Sequence, residues 1–164
     1  LQLAKDLKLE KIFVIEDDCI PCENFIERFK IVKEYLNNND DWDLYFGGGI
    51  INPPYKESWK NNFKEHIQYK EEDFVRISKS YCTHFMCYKN TVYDYFLNID
   101  RYRYAIDQVW HLGYKMPKLY PLISYPFIAF QDDDWSDIEN KPSGLRGKTK
   151  ISLSLLKDYV EENP

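Results

Sequence analysis

Lys11-Ile12-Phe13-Val14-Ile15-Glu16-Asp17-Asp18 is the stretch from which the rest of the chain is read. It begins as a short, unbroken apolar run rich in β-branched residues, the pattern of a strand buried on both faces, as in a parallel sheet. It stops at three consecutive carboxylates. Ligands of open α/β sheets sit beyond the carboxyl ends of strands, so this acidic tip falls where a ligand is expected. On extended chain, side chains at i and i+2 point the same way, which lets Glu16 and Asp18 share one ion. Adjacent negative charges repel, and a hard divalent cation such as Mn²⁺ or Mg²⁺ compensates them while bridging to phosphates. The alternative is a solvated acidic turn that opens the next helix, where carboxylates suit the dipole.

Upstream, residues 1–9 read as a helix end with Leu1, Ala4 and Leu7 on one face. Downstream, Asn24 with Glu27 reads as a capping box, followed by a helix presenting Phe25, Phe29, Val32 and Leu36. Trp42 to Phe46 is a second strand candidate, closed by Gly47-Gly48-Gly49. Residues 55–73 lack a clear period and read as a surface excursion. Residues 74–78 and 83–88 read as strands, and Asn90 as the cap of a helix burying Val92, Tyr93, Phe96 and Leu97. A short helix is expected from about Ala105 to Leu112, stopped by Gly113. Leu119 to Phe130 is extended and interrupted by proline, and Ile151 to Val160 forms a last helix. This alternation points to α/β.

Composition narrows the class of function. The chain has 164 residues, enough for one domain. Lys and Arg total 22 against 27 for Asp and Glu, a net charge of -5 that offers no basic excess for nucleic acid. Aromatic residues make up 17%, enough for a real core. No apolar run approaches the ~20 residues of a membrane span. The chain shows no basic-then-apolar leader, which favours a cytoplasmic location. It starts at Leu1 and enters an apolar-periodic segment at once, so a piece of a longer protein is expected.

Other residues carry weaker signals. Gly47-Gly48-Gly49 permits close backbone approach to a ligand or is a flexible turn; no Gly-Lys-Ser/Thr follows, so it is not a P-loop. Asp107 near a helix start is either a general base toward a hydroxyl or an N-terminal carboxylate of no catalytic interest. His84, in a strand candidate, reaches a substrate or is a satisfied buried imidazole. His66 and His111 show no ligand pairing; His111 lies four residues after Asp107, a simple ion-pair spacing. The acidic run Gln131-Asp132-Asp133-Asp134-Trp135-Ser136-Asp137 closes over a metal-bound diphosphate or is a solvated loop. The four cysteines include Cys19-Ile20-Pro21-Cys22, open to three readings: half-buried thiols, a zinc site, or redox chemistry.

Five segments in one order resemble glycosyltransferase family 25, which covers bacterial lipopolysaccharide glycosyltransferases and collagen hydroxylysine galactosyltransferases. They are Ile12 to Asp18, Trp42 to Gly48, Thr83-His84-Phe85, Ile106-Asp107, and Pro126 through Gln131 to Ser136-Asp137-Ile138. The resemblance implies a GT-A-like, Rossmann-like fold across 1–164, with a mixed, mostly parallel sheet flanked by helices. It implies transfer of galactose or glucose from a UDP-hexose donor to a hydroxyl on a glycan or a hydroxylysine-type protein acceptor. Glu16 and Asp18 would hold Mn²⁺ (or Mg²⁺), and Asp107 would be the catalytic base. Asp17, Gly47, Gly48, Thr83, His84, Gln131, Ser136 and Asp137 would contact donor or metal. The family's opening strand-helix portion, with its Asn-Leu and arginine signature, is absent. Phe85 stands where alanine is usual, which narrows the site in this reading, and the stretch 55–73 has no counterpart. The alternatives are an inactive, truncated relative that binds glycans or a protein, and a small zinc or redox protein built on Cys19 and Cys22.

Overall fold

The computed structural model describes residues 1–51, 62–78, 80–99, 119–132, 135–136, 141–142 and 145–164. Within them the order is α1 (Gln2–Asp6), β1 (Lys11–Ile15), β2 (Cys19–Pro21), α2 (Phe25–Asn38), β3 (Leu44–Phe46), β4 (Phe63–Tyr69) and β5 (Glu72–Ile77). There follow β6 (Phe85–Lys89), α3 (Tyr93–Leu97), β7 (Pro121–Tyr125), β8 (Ala129–Gln131), β9 (Trp135–Ser136), β10 (Lys141–Pro142) and α4 (Leu145–Glu162).

Strict alternation of apolar side chains builds the centre. β3 sends Leu44 and Phe46 to one side and Tyr45 to the other; β6 splits Met86 and Tyr88 from Phe85 and Cys87 in the same way. β5 divides Val75 and Ile77 from Phe74, and β7 divides Ile123 from Leu122. The first side gathers Ala4 of α1, Tyr93 and Phe96 of α3, and Leu156 of α4. The second gathers Val32, Tyr35 and Leu36 of α2. Helices therefore cover both faces, and the central strands bury both sets of side chains.

The six-stranded sheet runs β1-β6-β3-β7-β5-β4. β3 and β7 are parallel, while β1–β6, β3–β6, β5–β7 and β4–β5 are antiparallel. The fold is mixed α/β, but the expected mostly parallel sheet is corrected to a mostly antiparallel one. An all-apolar strand reports that both faces are covered, not which way its neighbour runs. β1 illustrates the point. It lies at the sheet edge, and Val14 and Ile15 are 38% and 57% exposed, so it is not the doubly buried strand the sequence suggests.

Three local expectations also change. Asn24 precedes α2 but makes no side-chain cap hydrogen bond, so the capping box is not formed. The stretch read as a surface excursion contains β4, which pairs with β5 through the tight connection Lys70-Glu71, Lys70 having φ 56. Of residues 1–9 only Gln2–Asp6 is helical, with Ala4 buried and Leu7 exposed. Residues 105–112 lie outside the described residues. No helix among the described residues is long and apolar enough to cross a membrane.

One polar hub fixes α2 to the sheet. Arg28 Nε and Nη2 donate to Glu72 Oε1 and Oε2 at 2.6 and 2.7 Å. Nη2 also donates to the Pro126 carbonyl at 2.7 Å, and Nη1 donates to the Phe127 carbonyl at 3.1 Å and to Cys22 Sγ at 3.9 Å. All five guanidinium N–H groups are thereby used, and the turn from β7 into β8 is clamped to α2.

Candidate functional site

The site forms where β1 stops. Ile15 faces Phe85 in the ladder, and the Glu16 N–H donates to the His84 carbonyl at 2.9 Å, so the acidic tip lies against Thr83-His84. The Thr83 hydroxyl donates to Glu16 Oε1. The chain then reverses, with the Cys19 N–H donating to the Glu16 carbonyl at 3.2 Å, and enters β2. β2 pairs with β8 so that Cys19 faces Gln131. That register delivers Gln131 Nε2 to Asp18 Oδ2 at 2.7 Å and the Asp132 N–H to the Asp18 carbonyl at 2.9 Å. Glu16, Asp18, Thr83, His84 and Gln131, drawn from three distant stretches, are thus brought together. Asp17 is exposed.

Two polar atoms in this group lack hydrogen-bond partners among the described residues. His84 is 3% exposed, and its Nε2 stands 3.3 Å from the Ala129 carbonyl. A carbonyl only accepts, so Nε2 carries the proton and Nδ1 keeps its lone pair. His84 Nδ1 and Asp18 Oδ1 are both buried with no hydrogen-bond partner among the described residues. Burial holds the His84 pKa below its ordinary value, opposed by the Ala129 hydrogen bond and the Asp18 charge, so the ring is neutral at pH 7. Buried acceptors left without donors cost about 1–3 kcal/mol each. Such a pair is chemically suited to a cation or to a ligand bearing donors, and it is the kind of exception that native structures keep for a reason.

The paired glycines let the chain after β3 approach the β8 backbone closely. The Gly47 carbonyl accepts from the Ile128 and Ala129 N–H groups at 2.8 and 3.2 Å. A Cβ on Gly48 would stand 2.1 Å from the Ala129 oxygen and 3.2 Å from His84 Nε2. The close approach foreseen from the glycines is thus made to the backbone that holds His84. Phe85 is 2% exposed and packs in the core against the rings of Phe13, Phe25 and Phe29. Nothing in the composition around Ala129 or Arg28 marks either as a support of the site; their roles come from a backbone carbonyl and a long-range ion pair.

Asp107, Asp133, Asp134, Asp137 and His111 lie outside the described residues. Ser136 lies in β9, which pairs with β10 so that Ser136 faces Lys141. Among the described residues no three His, Cys, Asp or Glu side chains stand as a ready-made metal group. His66 is engaged elsewhere, with Nε2 2.8 Å from Asp73 Oδ1 and Nδ1 2.7 Å from the Asn163 carbonyl.

All four cysteines are free thiols. Cys87 is fully buried and its pKa is pushed up to about 12 by burial, so it holds almost no thiolate at neutral pH. Burial, then the charges of Asp18 and Glu16, also raise Cys19. Alkylation of the native protein at pH 8, followed by intact mass, is expected to leave Cys87 unmodified until denaturant is added. Rapid native labelling at Cys87 would contradict its placement. The chain matches no protein-family model and no curated protein.

Proposed function

We propose that the chain is a metal-dependent glycosyltransferase domain of GT-A type, moving galactose or glucose from a UDP-sugar to a hydroxyl of a glycan or a collagen-like protein. The observation that carries this reading is the bare, buried Asp18 oxygen at the carboxyl end of a strand, beside Glu16 and the neutral His84. A hard oxygen donor without a partner among the described residues fits Mn²⁺ or Mg²⁺. Asp18 and Glu16 would hold the ion, which when bound neutralises charge on a departing diphosphate. Gln131 holds the Asp18 carboxylate by Oδ2 and so aims Oδ1 away from itself. Thr83 orients Glu16 in the same manner. Ala129 fixes the His84 tautomer. The resemblance to glycosyltransferase family 25 supplies Asp107 as the base that takes the acceptor hydroxyl proton, with Asp17, Gly47, Gly48, Ser136 and Asp137 as donor or metal contacts.

Calorimetric titration with Mn²⁺ and UDP tests the reading. UDP is expected to bind only when Mn²⁺ is present, and Asp18→Ala is expected to weaken that binding at least about 10-fold, since even outer partners of a metal site cost 10- to 100-fold. Absence of Mn²⁺-dependent UDP binding would defeat the proposal. A second reading, a non-catalytic relative that binds a glycan or a protein, is favoured by the open edge of β1 with Val14 and Ile15 exposed. It predicts ligand binding indifferent to Asp18→Ala.

A further inference from the structure

We propose that His66 is a proton-operated clasp on α4. As the imidazolium it ties the Asn163 carbonyl, at the end of that helix, to Asp73 on β5, and on losing a proton it releases the helix end. The proposal goes beyond the metal-dependent reading and does not rest on it.

Both ring nitrogens of His66 face acceptors. Nε2 stands 2.8 Å from Asp73 Oδ1, and Nδ1 stands 2.7 Å from the Asn163 carbonyl. An ionised carboxylate and a carbonyl only accept, whereas a neutral imidazole has one N–H and one lone pair. Only the doubly protonated ring satisfies both contacts. The His66 side chain is 8% exposed, so water has little room to take over either one. When a single N–H remains, the carboxylate outcompetes the carbonyl, because a charge-assisted bond is about twice as strong as a neutral one. The proton therefore leaves from Nδ1, and a lone pair then faces the Asn163 oxygen. The clasp is closed at low pH and lost as pH rises through the imidazole range, which lies between about pH 5 and 8.

The body of α4 is held by other means. Ser152 and Leu156 are buried, the Ile51 N–H donates to Ser152 Oγ at 2.9 Å, and the Tyr159 and Phe63 rings meet at 4.9 Å between centroids. Beyond Val160 the chain is exposed, so a bond to the sheet weighs more there. The charged and titratable groups around the clasp come from four elements. β4 brings Lys64 and Glu65, β5 brings Asp73 and Arg76, β7 brings Tyr125, and α4 brings Lys157, Asp158, Tyr159, Glu161 and Glu162. Arg76 is bonded to Glu65 at 2.9 Å, and Lys157 lies 3.6 Å from Glu161. Tyr125 faces Asp73 in the ladder and feels the charges of Glu161, Asp73 and Asp158, which places carboxylates of α4 and β5 on one side of the sheet. Ordinary carboxylates, lysines, arginines and tyrosines keep their charge between about pH 5.5 and 8, so the imidazole is the group of this set that changes.

The test uses the whole chain grown with ¹⁵N-histidine and read by NMR at about pH 5.5 and pH 8, the two sides of the imidazole range. The ring ¹⁵N shifts of His66 are expected to show both nitrogens protonated at the lower pH and the Nε2–H tautomer at the higher. Amide exchange from Val160 to Asn163, corrected for its intrinsic pH dependence, is expected to quicken at least about 10-fold over the same step, the scale of losing a hydrogen bond to a charged group. Exchange at Ser152 and Leu156 is expected to hold. His66→Gln, uncharged at every pH, is expected to abolish the step. Tautomer and exchange are both read on the wild type, so the result stands even if His66→Gln unfolds. An Nδ1–H tautomer at pH 8, protection of the α4 end that does not change between the two pH values, or a step that survives His66→Gln overturns the proposal.

Discussion

Arg28→Met is expected to destabilise the fold by about 3–5 kcal/mol, the cost of leaving one member of a buried ion pair alone. Glu72 has a side chain only 3% exposed, and both of its carboxylate oxygens accept from Arg28. Removing the guanidinium leaves that buried charge without its two donors. It also strips donors from the Pro126 and Phe127 carbonyls. Against a typical total of about 5–15 kcal/mol, such a loss leaves little margin. Denaturant unfolding should show it as a lower midpoint. The double variant Arg28→Met/Glu72→Leu separates the causes: it removes the stranded charge and should recover much of the loss, because replacing a whole buried pair by apolar residues is often neutral. Equal stability of Arg28→Met and wild type would show that the pair does not hold α2 to the sheet. A local readout accompanies the global one. The clamp secures the turn that leads into β8, so amide exchange at Ile128 and Ala129, whose N–H groups bond to Gly47, should quicken in Arg28→Met.

The same hub shows why some of this architecture is legible in the amino-acid order and some is not. Strands β1, β3 and β6 stand close to where their apolar runs place them, because alternation and β-branching are local properties. Direction is not local. Phe85–Lys89 would carry the same Phe85/Cys87 and Met86/Tyr88 division in a parallel or an antiparallel neighbourhood, since helices cover both faces. β4 escapes notice for another reason. Its Lys64, Glu65 and Gln68 face solvent at the sheet edge, where charge is what keeps an edge from pairing with other chains. Its turn, Lys70-Glu71, has none of the glycine or asparagine that usually announces a tight hairpin. The site divides likewise. Glu16, Asp18, Thr83, His84 and Gln131 each attract attention by residue type. Their convergence depends on the β1–β6 and β2–β8 pairings, which no spacing in the sequence encodes. The unpartnered Asp18 Oδ1 and the His84 tautomer depend on single hydrogen bonds made after folding.

Gly48→Ala tests that convergence directly. The added Cβ would stand 2.1 Å from the Ala129 oxygen, a backbone atom with no rotamer through which to withdraw. The two strands cannot simply part, because Gly47 accepts hydrogen bonds from both Ile128 and Ala129 at this point. Overpacking of this kind costs about 1–3 kcal/mol, and more where backbone must move. The displacement falls on β8, which carries the Ala129 carbonyl to His84 and Gln131 to Asp18. Gly48→Ala should therefore lower the melting temperature and, in the protein that remains folded, weaken the proposed Mn²⁺ binding at least about 10-fold, the scale of losing an orienting partner. Gly147→Ala is the matched control. Gly147 lies in α4 with nothing within 4 Å of the added methyl, and alanine there should stabilise by about 0.5–1 kcal/mol with Mn²⁺ affinity unchanged. If the protein binds Mn²⁺ and Gly48→Ala keeps that affinity while losing stability, the glycine serves packing alone, and β8 does not set the geometry of the proposed cation site.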